Sequence, residues 1–221
     1  MQRPSAPIMT ATAPRATSRD LRREDTRKRI YQAAMDIFRR DGFSVARIDD
    51  IAEAAGVSHG AFYFHFATKE EVLSQCLAAS EARVGAALAD LGPDTHLEAA
   101  LDAAWNAIGR EWQDDPRLFP DVAMVALRYF SRAGGGAARH PTSAVSVALA
   151  PFLKVASERG ELNPFLPAEM LSDLFLLNVF AAMLSWSSDA SLPLPVMLGG
   201  VTRIFLDGVR GGAPRRDPLA T

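Results

Sequence analysis

Apolar residues recur at three- and four-residue spacing from about residue 18 to residue 210, and the two-residue alternation of a strand persists nowhere. The pattern therefore predicts an all-α chain of about nine helices. Ser18 or Asp20 is placed to cap a first helix running to about Arg40, with Ile30, Ala33, Ala34, Ile37 and Phe38 facing inward and Gly42 closing it. Ile48, Ile51, Ala52 and Ala55 give a short second helix that opens near Arg47. Gly56 ends it, because glycine takes the left-handed conformation that turns the chain. Val57 plugs the corner, and Ser58 is a natural N-cap for a third helix. In that helix Phe62 and Phe66 face inward, leaving Ser58, His59, Ala61, Tyr63 and His65 outside. Thr68-Lys-Glu-Glu71 reads as a capping box opening a long helix from Glu70 to about Leu91, with Val72, Leu73, Cys76, Leu77, Val84 and Leu88 in one stripe.

Behind the Gly92-Pro93 break, Thr95 to Glu98 reads as a second capping box, and Leu97, Leu101, Trp105 and Ile108 face inward from the helix it opens. Asp114-Asp-Pro116 separates that helix from one carrying Leu118, Val122, Val125, Ala126, Tyr129 and Phe130. Gly134-Gly-Gly136 is a further break. A helix from about Thr142 to Arg159 stops at Gly160, and Pro164 and Pro167 punctuate the approach to the last two, about Pro167 to Ser187 and Leu194 to Arg210. Leu171 to Trp186 is the most apolar run. It carries Asp173, Asn178 and Ser185 and falls short of the roughly 18 apolar residues of a membrane span, so it reads as a buried helix and no membrane partner is expected. The last two helices are apolar over more surface than one small bundle covers, which predicts a partner. Gly200, Ile204 and Gly208 form a small-residue track along the final helix.

Residues 48 to 69 thus read as a helix-turn-helix with a third helix beginning behind it. The outer face of its second helix is small, polar and aromatic. Such a face fits a major groove, where small residues permit close approach, an aromatic ring touches a thymine methyl, and His or Ser binds phosphates or base edges. The run Ile51-Ala-Glu-Ala-Ala-Gly-Val-Ser58, with Gly60, Tyr63, Phe66 and Lys69, resembles the DNA-binding region of the tetracycline-repressor (TetR) family of bacterial regulators over roughly 45 residues. The resemblance implies DNA contacts from Arg47, Ser58, His59, Gly60, Ala61, Tyr63, His65 and Lys69, the last reaching a phosphate. Two positions depart from the family pattern, Ala46 and Ala61 standing where threonines are common. The contact set is thinner for it, and histidines at 59 and 65 make pH-sensitive binding an expectation.

The same resemblance implies a twofold homodimer through the last two helices, with Leu174, Ala181, Gly200, Ile204 and Gly208 as interface candidates. Two recognition helices about 34 to 36 Å apart then read successive major grooves of a palindromic operator on double-stranded DNA. It also implies a pocket for a hydrophobic or aromatic small molecule in the rear bundle, for which Trp105, Trp112, Phe119, Met124, Tyr129, Phe152, Asn178 and Trp186 are candidates; the aromatics are equally what a plain core is made of. Binding there would release the operator, the long helix from Glu70 transmitting the change. Control by a protein partner, or no small-molecule signal at all, is the alternative.

Charge sharpens the division of labour. Residues 1–69 hold 12 Lys and Arg against 8 Asp and Glu, while residues 70–221 hold 12 against 18. A basic front part suits DNA and an acidic rear part is kept off it. The organisation expected is a disordered basic tail (1–17), a DNA-binding domain (18–69), a ligand-binding and dimerisation domain (70–210) and a disordered tail (211–221). The arginine and lysine cluster at 22, 23, 27, 28 and 29 is either a solvated helix face or a source of one or two phosphate contacts. The single cysteine, Cys76, excludes an intramolecular disulfide or a cysteine zinc site and fits a reducing cytoplasm. The four histidines have no metal-ligand spacing, and no nucleophile elbow, phosphate-cradling loop or dinucleotide fingerprint occurs, so neither catalysis nor a metal or cofactor is expected.

Overall fold

The computed structural model describes residues 17–92, 94–113, 116–132, 143–162 and 166–210, with only the backbone at Glu111 and at 129–132. Nine α-helices occupy them: α1 (Ser18–Asp41), α2 (Ile48–Ala54), α3 (His59–His65), α4 (Lys69–Ala89), α5 (Leu97–Trp112), α6 (Phe119–Arg132), α7 (Ala144–Glu158), α8 (Ala168–Ser188) and α9 (Leu194–Arg210). A 3-10 turn, Pro116–Leu118, leads into α6, and the described residues contain no strand. Of the expected tails, residues 1–16 of the first (1–17) and all of the second (211–221) lie outside the described residues, as does the Gly134-Gly-Gly136 break, while Thr17 is the cap of α1.

Capping sets where the helices begin, and it departs from the expected pattern in three places. α1 is capped by Thr17, whose hydroxyl accepts from the Asp20 N–H at 3.2 Å while the Asp20 carboxylate accepts from the Thr17 N–H at 3.0 Å, so Asp20 is the third residue of a capping box and not the cap. At α4 the Thr68 hydroxyl accepts from the Glu71 N–H, but the Glu71 carboxylate reaches one residue further back, to the Ala67 N–H at 2.7 Å. At α5 the expected box does not form. His96 holds the cap position without a side-chain bond, and the Thr95 N–H turns back to the Gly92 carbonyl.

Buried apolar side chains form one continuous cluster. Ile30, Ala34, Ile37 and Phe38 of α1 meet Ile51, Phe62 and Phe66 of the two short helices, and Val72, Leu73 and Cys76 of α4 join them. Further along, Val84 and Leu88 of the same helix belong to the rear core with Leu97, Leu101, Ala104, Leu149, Leu153 and Phe175. Helix α4 packs on α1 at one end and on α5, α6 and α7 along the rest, so it spans both halves.

Helix α8 is not the fully buried helix that its composition suggested. Leu171, Phe175, Leu176, Val179 and Met183 face inward against α6, α7 and α9, but Met170, Leu174, Leu177, Ala181 and Leu184 are exposed along the opposite side. By length and composition alone it is the one described helix that could cross a membrane. The reason for the misreading is that α8 is apolar on both faces, so periodicity does not distinguish the inner face from the outer one.

Candidate functional site

The turn between α2 and α3 is built by backbone geometry. Gly56 has φ +64°, its N–H donates to the Glu53 carbonyl at 3.0 Å, and the Val57 N–H donates to the Ala52 carbonyl at 2.9 Å. These are the paired bonds that close a helix on a left-handed residue. The Ser58 hydroxyl then accepts from the Ala61 N–H at 3.2 Å, opening α3. Phe62 and Phe66 are fully buried and fix the rotation of α3. Ser58, His59, Gly60 and Tyr63 are exposed, Ala61 and His65 half-buried. Phe64 is 66% exposed, more than Tyr63 at 48%, and went unassigned in the sequence. Its signal was present: two residues past an inward Phe62, a helix has turned through about 200°.

Charged groups around this face are largely engaged with one another. His59 Nδ1 lies 2.5 Å from Asp49 Oδ1, and Arg47 Nη2 lies 3.8 Å from the other oxygen, so the Asp49 carboxylate of α2 gathers two of the expected DNA contacts. His59 and Tyr63 rings are 5.1 Å apart. Of the basic cluster on α1, Arg27 donates from Nε to Gln75 Oε1 at 3.0 Å, from Nη1 to the His65 carbonyl, and lies 4.0 Å over the Phe66 ring, tying α1, α3 and α4 together. Arg29 Nη1 donates to the Ala55 carbonyl at 3.0 Å, at the end of α2. Arg23 sits 5.0 Å from the Phe64 ring centre and is exposed, as are Arg22 and Lys28. Burial, with the positive charges of Arg23 and Arg27, holds the His65 imidazole below its usual 6.5, Glu24 acting weakly the other way. His65 is therefore neutral near pH 7.

Lys69 departs furthest from expectation. Its ammonium donates to the carbonyls of Phe43, Ser44 and Ala46 at 2.7, 3.2 and 3.1 Å and lies 4.7 Å from the centre of the Phe43 ring. An ammonium has three donors, and all three are spent on the loop between α1 and α2, which leaves none for a phosphate. Ala46, where the family pattern carries threonine, belongs to this loop and is buried.

The rear helices enclose a narrow apolar crevice, open on one side. Leu77, Ser80, Glu81 and Val84 of α4, Ile108 and Trp112 of α5, Phe119 and Val122 of α6, Val145 of α7 with its cap Ser143, and Leu176, Val179, Phe180 and Met183 of α8 line it. Of the eight side chains expected to line a pocket, Trp112 and Phe119 do so. Trp105 lies elsewhere, donating from Nε1 to Asp102 at 2.8 Å; Met124 is exposed; Phe152 packs on the core; and the Tyr129 side chain lies outside the described residues. Asn178 is exposed and donates to the Leu174 carbonyl at 2.7 Å, so its amide is answered within α8. Trp186 is buried and donates to the Leu192 carbonyl at 3.1 Å. The lining that was missed is mostly aliphatic, with Ser80, Glu81, Ser143 and Phe180 among it, and aliphatic residues at helical spacing carry no mark that separates a cavity wall from a core. Among the described residues no group of His, Cys, Asp and Glu is arranged to hold a metal.

Of the dimer candidates, Leu174, Ala181 and Ile204 are exposed, Ile204 by 75%, and Gly200 and Gly208 face open space.

Comparison with known proteins agrees with this geometry. Residues 30–76 match the family model of bacterial regulatory proteins, tetR family. The chain is 41% identical over 80 residues to the HTH-type transcriptional regulator SrpR of Pseudomonas putida, a match covering 36% of each protein, so it spans about a third of that regulator's length. It is 30% identical over 154 residues to the HTH-type transcriptional regulator Mb3439c of Mycobacterium bovis, covering 64% of this chain and 82% of that one. Among solved structures it is similar to Thermus thermophilus FadR, a TetR family transcriptional repressor in complex with lauroyl-CoA, at 25% identity and a TM-score of 0.57 over 88% of this chain and 99% of that one.

Proposed function

The chain belongs to the tetR family of bacterial regulatory proteins, which are DNA-binding transcriptional regulators, and from that premise we propose that it is a cytoplasmic repressor released from a palindromic operator by a small apolar molecule. What carries the DNA-binding part is the exposed face of α3, where His59, Gly60, Tyr63 and Phe64 stand on a helix whose rotation two buried phenylalanines fix. Ser58 and Arg47 flank it. Tyr63 and Phe64 supply apolar contacts to base edges, and the exposed Arg22, Arg23 and Lys28 of α1 supply charge for the backbone.

Two copies join through α8 and α9. Met170, Leu174, Leu177, Ala181 and Leu184 alternate at four and three residues along α8, the spacing of a helix-packing seam. Val196, Gly200, Ile204 and Gly208 line α9 at four-residue spacing, the glycines permitting close approach of a second helix. A second copy of the chain is the occupant that covers this apolar surface.

The effector enters the crevice between α4, α5, α6 and α8. That crevice is narrow as its walls stand, so a ring-sized guest binds by widening it, and α4 is one of those walls. A ligand that prefers the widened arrangement shifts α4 and with it the recognition helices, a coupling of about 1–3 kcal/mol, or roughly 5- to 150-fold in operator affinity. Fluorescence anisotropy with labelled DNA from immediately upstream of the chain's own coding region tests the assignment. Salt-dependent, saturable binding that a tenfold excess of unrelated duplex does not compete away is the expected result; equal competition by unrelated duplex refutes sequence-specific binding.

A further inference from the structure

We propose that the rear crevice selects an organic cation with an apolar body, a lipophilic amine or a quaternary ammonium, with Glu81 as its counter-charge. This rests on the reading of the crevice as the effector site. Among the described residues that line the crevice, Glu81 is the one ionisable side chain, and no Lys, Arg or His of that set joins it. Its Oε1 accepts from the Ser143 hydroxyl at 2.5 Å, and the Ser143 oxygen in turn accepts from the Val145 N–H at 3.2 Å. The carboxylate is thereby held where α4 meets the start of α7. Ser80, which is buried, and Ser143, which is half-buried, are the hydroxyl side chains among the described lining residues.

Three aromatic rings stand in the same lining as this carboxylate. Trp112 meets Phe119 edge to face, with centroids 5.4 Å apart and planes at 76°, and Phe119 stacks on Phe180 at 5.7 Å and 29°. Aromatic faces carry negative potential and attract cations, more so once desolvated. A neutral hydrophobe bound here would strip water from the Glu81 carboxylate and give it no counter-charge. An anionic guest would add repulsion in a low-dielectric setting where it is poorly screened. A cation meets neither cost, and its apolar body packs against Leu77, Val84 and Val122 as the crevice widens.

A matched series isolates the charge: 4-phenylbutylammonium, 4-phenylbutanol and 4-phenylbutyrate, titrated calorimetrically into the full-length protein. The ammonium is expected to bind about tenfold or more tightly than the alcohol, the butyrate most weakly, and the ammonium to release operator DNA at the lowest concentration. Glu81→Gln should bring the ammonium to within about twofold of the alcohol, while Glu81→Asp, which keeps the charge, preserves the preference; melting curves of both free variants establish that they fold. A butyrate that binds as tightly as the ammonium, or a preference unchanged in Glu81→Gln, overturns the cation assignment and leaves the crevice as an effector site. Failure of all three to bind overturns the crevice reading as well.

Discussion

The ammonium of Lys69 donates to the carbonyl of Phe43 at 2.7 Å, from the first turn of α4 back to the loop that precedes α2. Together with its bonds to Ser44 and Ala46, this makes the lysine a clamp that sets the approach of α2, and hence of α3, to the helix that reaches the rear bundle.

Lys69→Met should accordingly act through position and not through charge. Three charge-assisted bonds are lost, each worth about 1.5–3 kcal/mol where dry and less at this half-buried site, so a modest loss of stability is expected along with weaker operator binding. The informative quantity is the salt dependence. If Lys69 held a phosphate, its removal would lower the slope of log Kobs against log salt by about 0.9. The clamp predicts a slope equal to that of the wild type, measured by anisotropy between low and moderate salt.

Tyr63→Ala and Phe64→Ala should each weaken specific operator binding by about 1–3 kcal/mol while leaving binding to unrelated duplex nearly unchanged. Both rings are exposed, so little folding stability depends on them, and melting temperatures should stay close to wild type. A Phe64→Ala variant with full operator affinity would remove Phe64 from the reading face.

These residues also mark what the sequence reveals. Gly56, Ser58, Phe62 and Phe66 were readable because their roles are local: a left-handed turn, a cap, and an inward stripe each depend on neighbours within about four positions. Lys69 was not, because its partners Phe43, Ser44 and Ala46 lie more than twenty residues away, and a lysine at a helix entrance looks alike whether it faces a phosphate or a carbonyl. Asn178 misled for a related reason. A polar residue in an apolar helix signals an obligatory partner only when it is buried, and its exposure depends on which of two apolar faces of α8 turns outward. The Glu81–Ser143 pair joins α4 to the cap of α7 across sixty-two positions, and nothing in spacing announces it.

His65 predicts a definite pH response. Its folded pKa lies below 6.5 because burial and the charges of Arg23 and Arg27 oppose protonation, whereas in the unfolded chain it titrates near 6.5. The unfolded state therefore binds the proton more readily. The contribution to stability is present above pH 6.5 and is lost as pH falls through the folded value. Melting temperature should decline below about pH 6.5, and His65→Asn should decline less over the same interval, other groups being common to both proteins. Identical declines would show that His65 does not govern this part of the profile.

In the proposed dimer the exposed apolar faces of α8 and α9 set the distance between the two recognition helices. A helix pair that leaves Leu174, Leu177, Leu184 and Ile204 in water loses about 25 cal/mol for every Å² of apolar surface left uncovered, and covering that surface with its own copy recovers it on both chains at once. Placing a charge at the centre of a self-complementary seam introduces it twice, against its own symmetry mate or in an apolar setting. Ile204→Arg changes a residue that is 75% exposed in the single chain, so the fold of the protomer should survive. Sedimentation velocity should find wild type as a dimer and the variant as a monomer at the same concentration. The monomer carries a single recognition helix, so its affinity for a two-half-site operator should fall by about 100-fold or more while its affinity for one half-site is kept. A variant that remains dimeric and binds both alike would move the twofold axis to another face of the molecule.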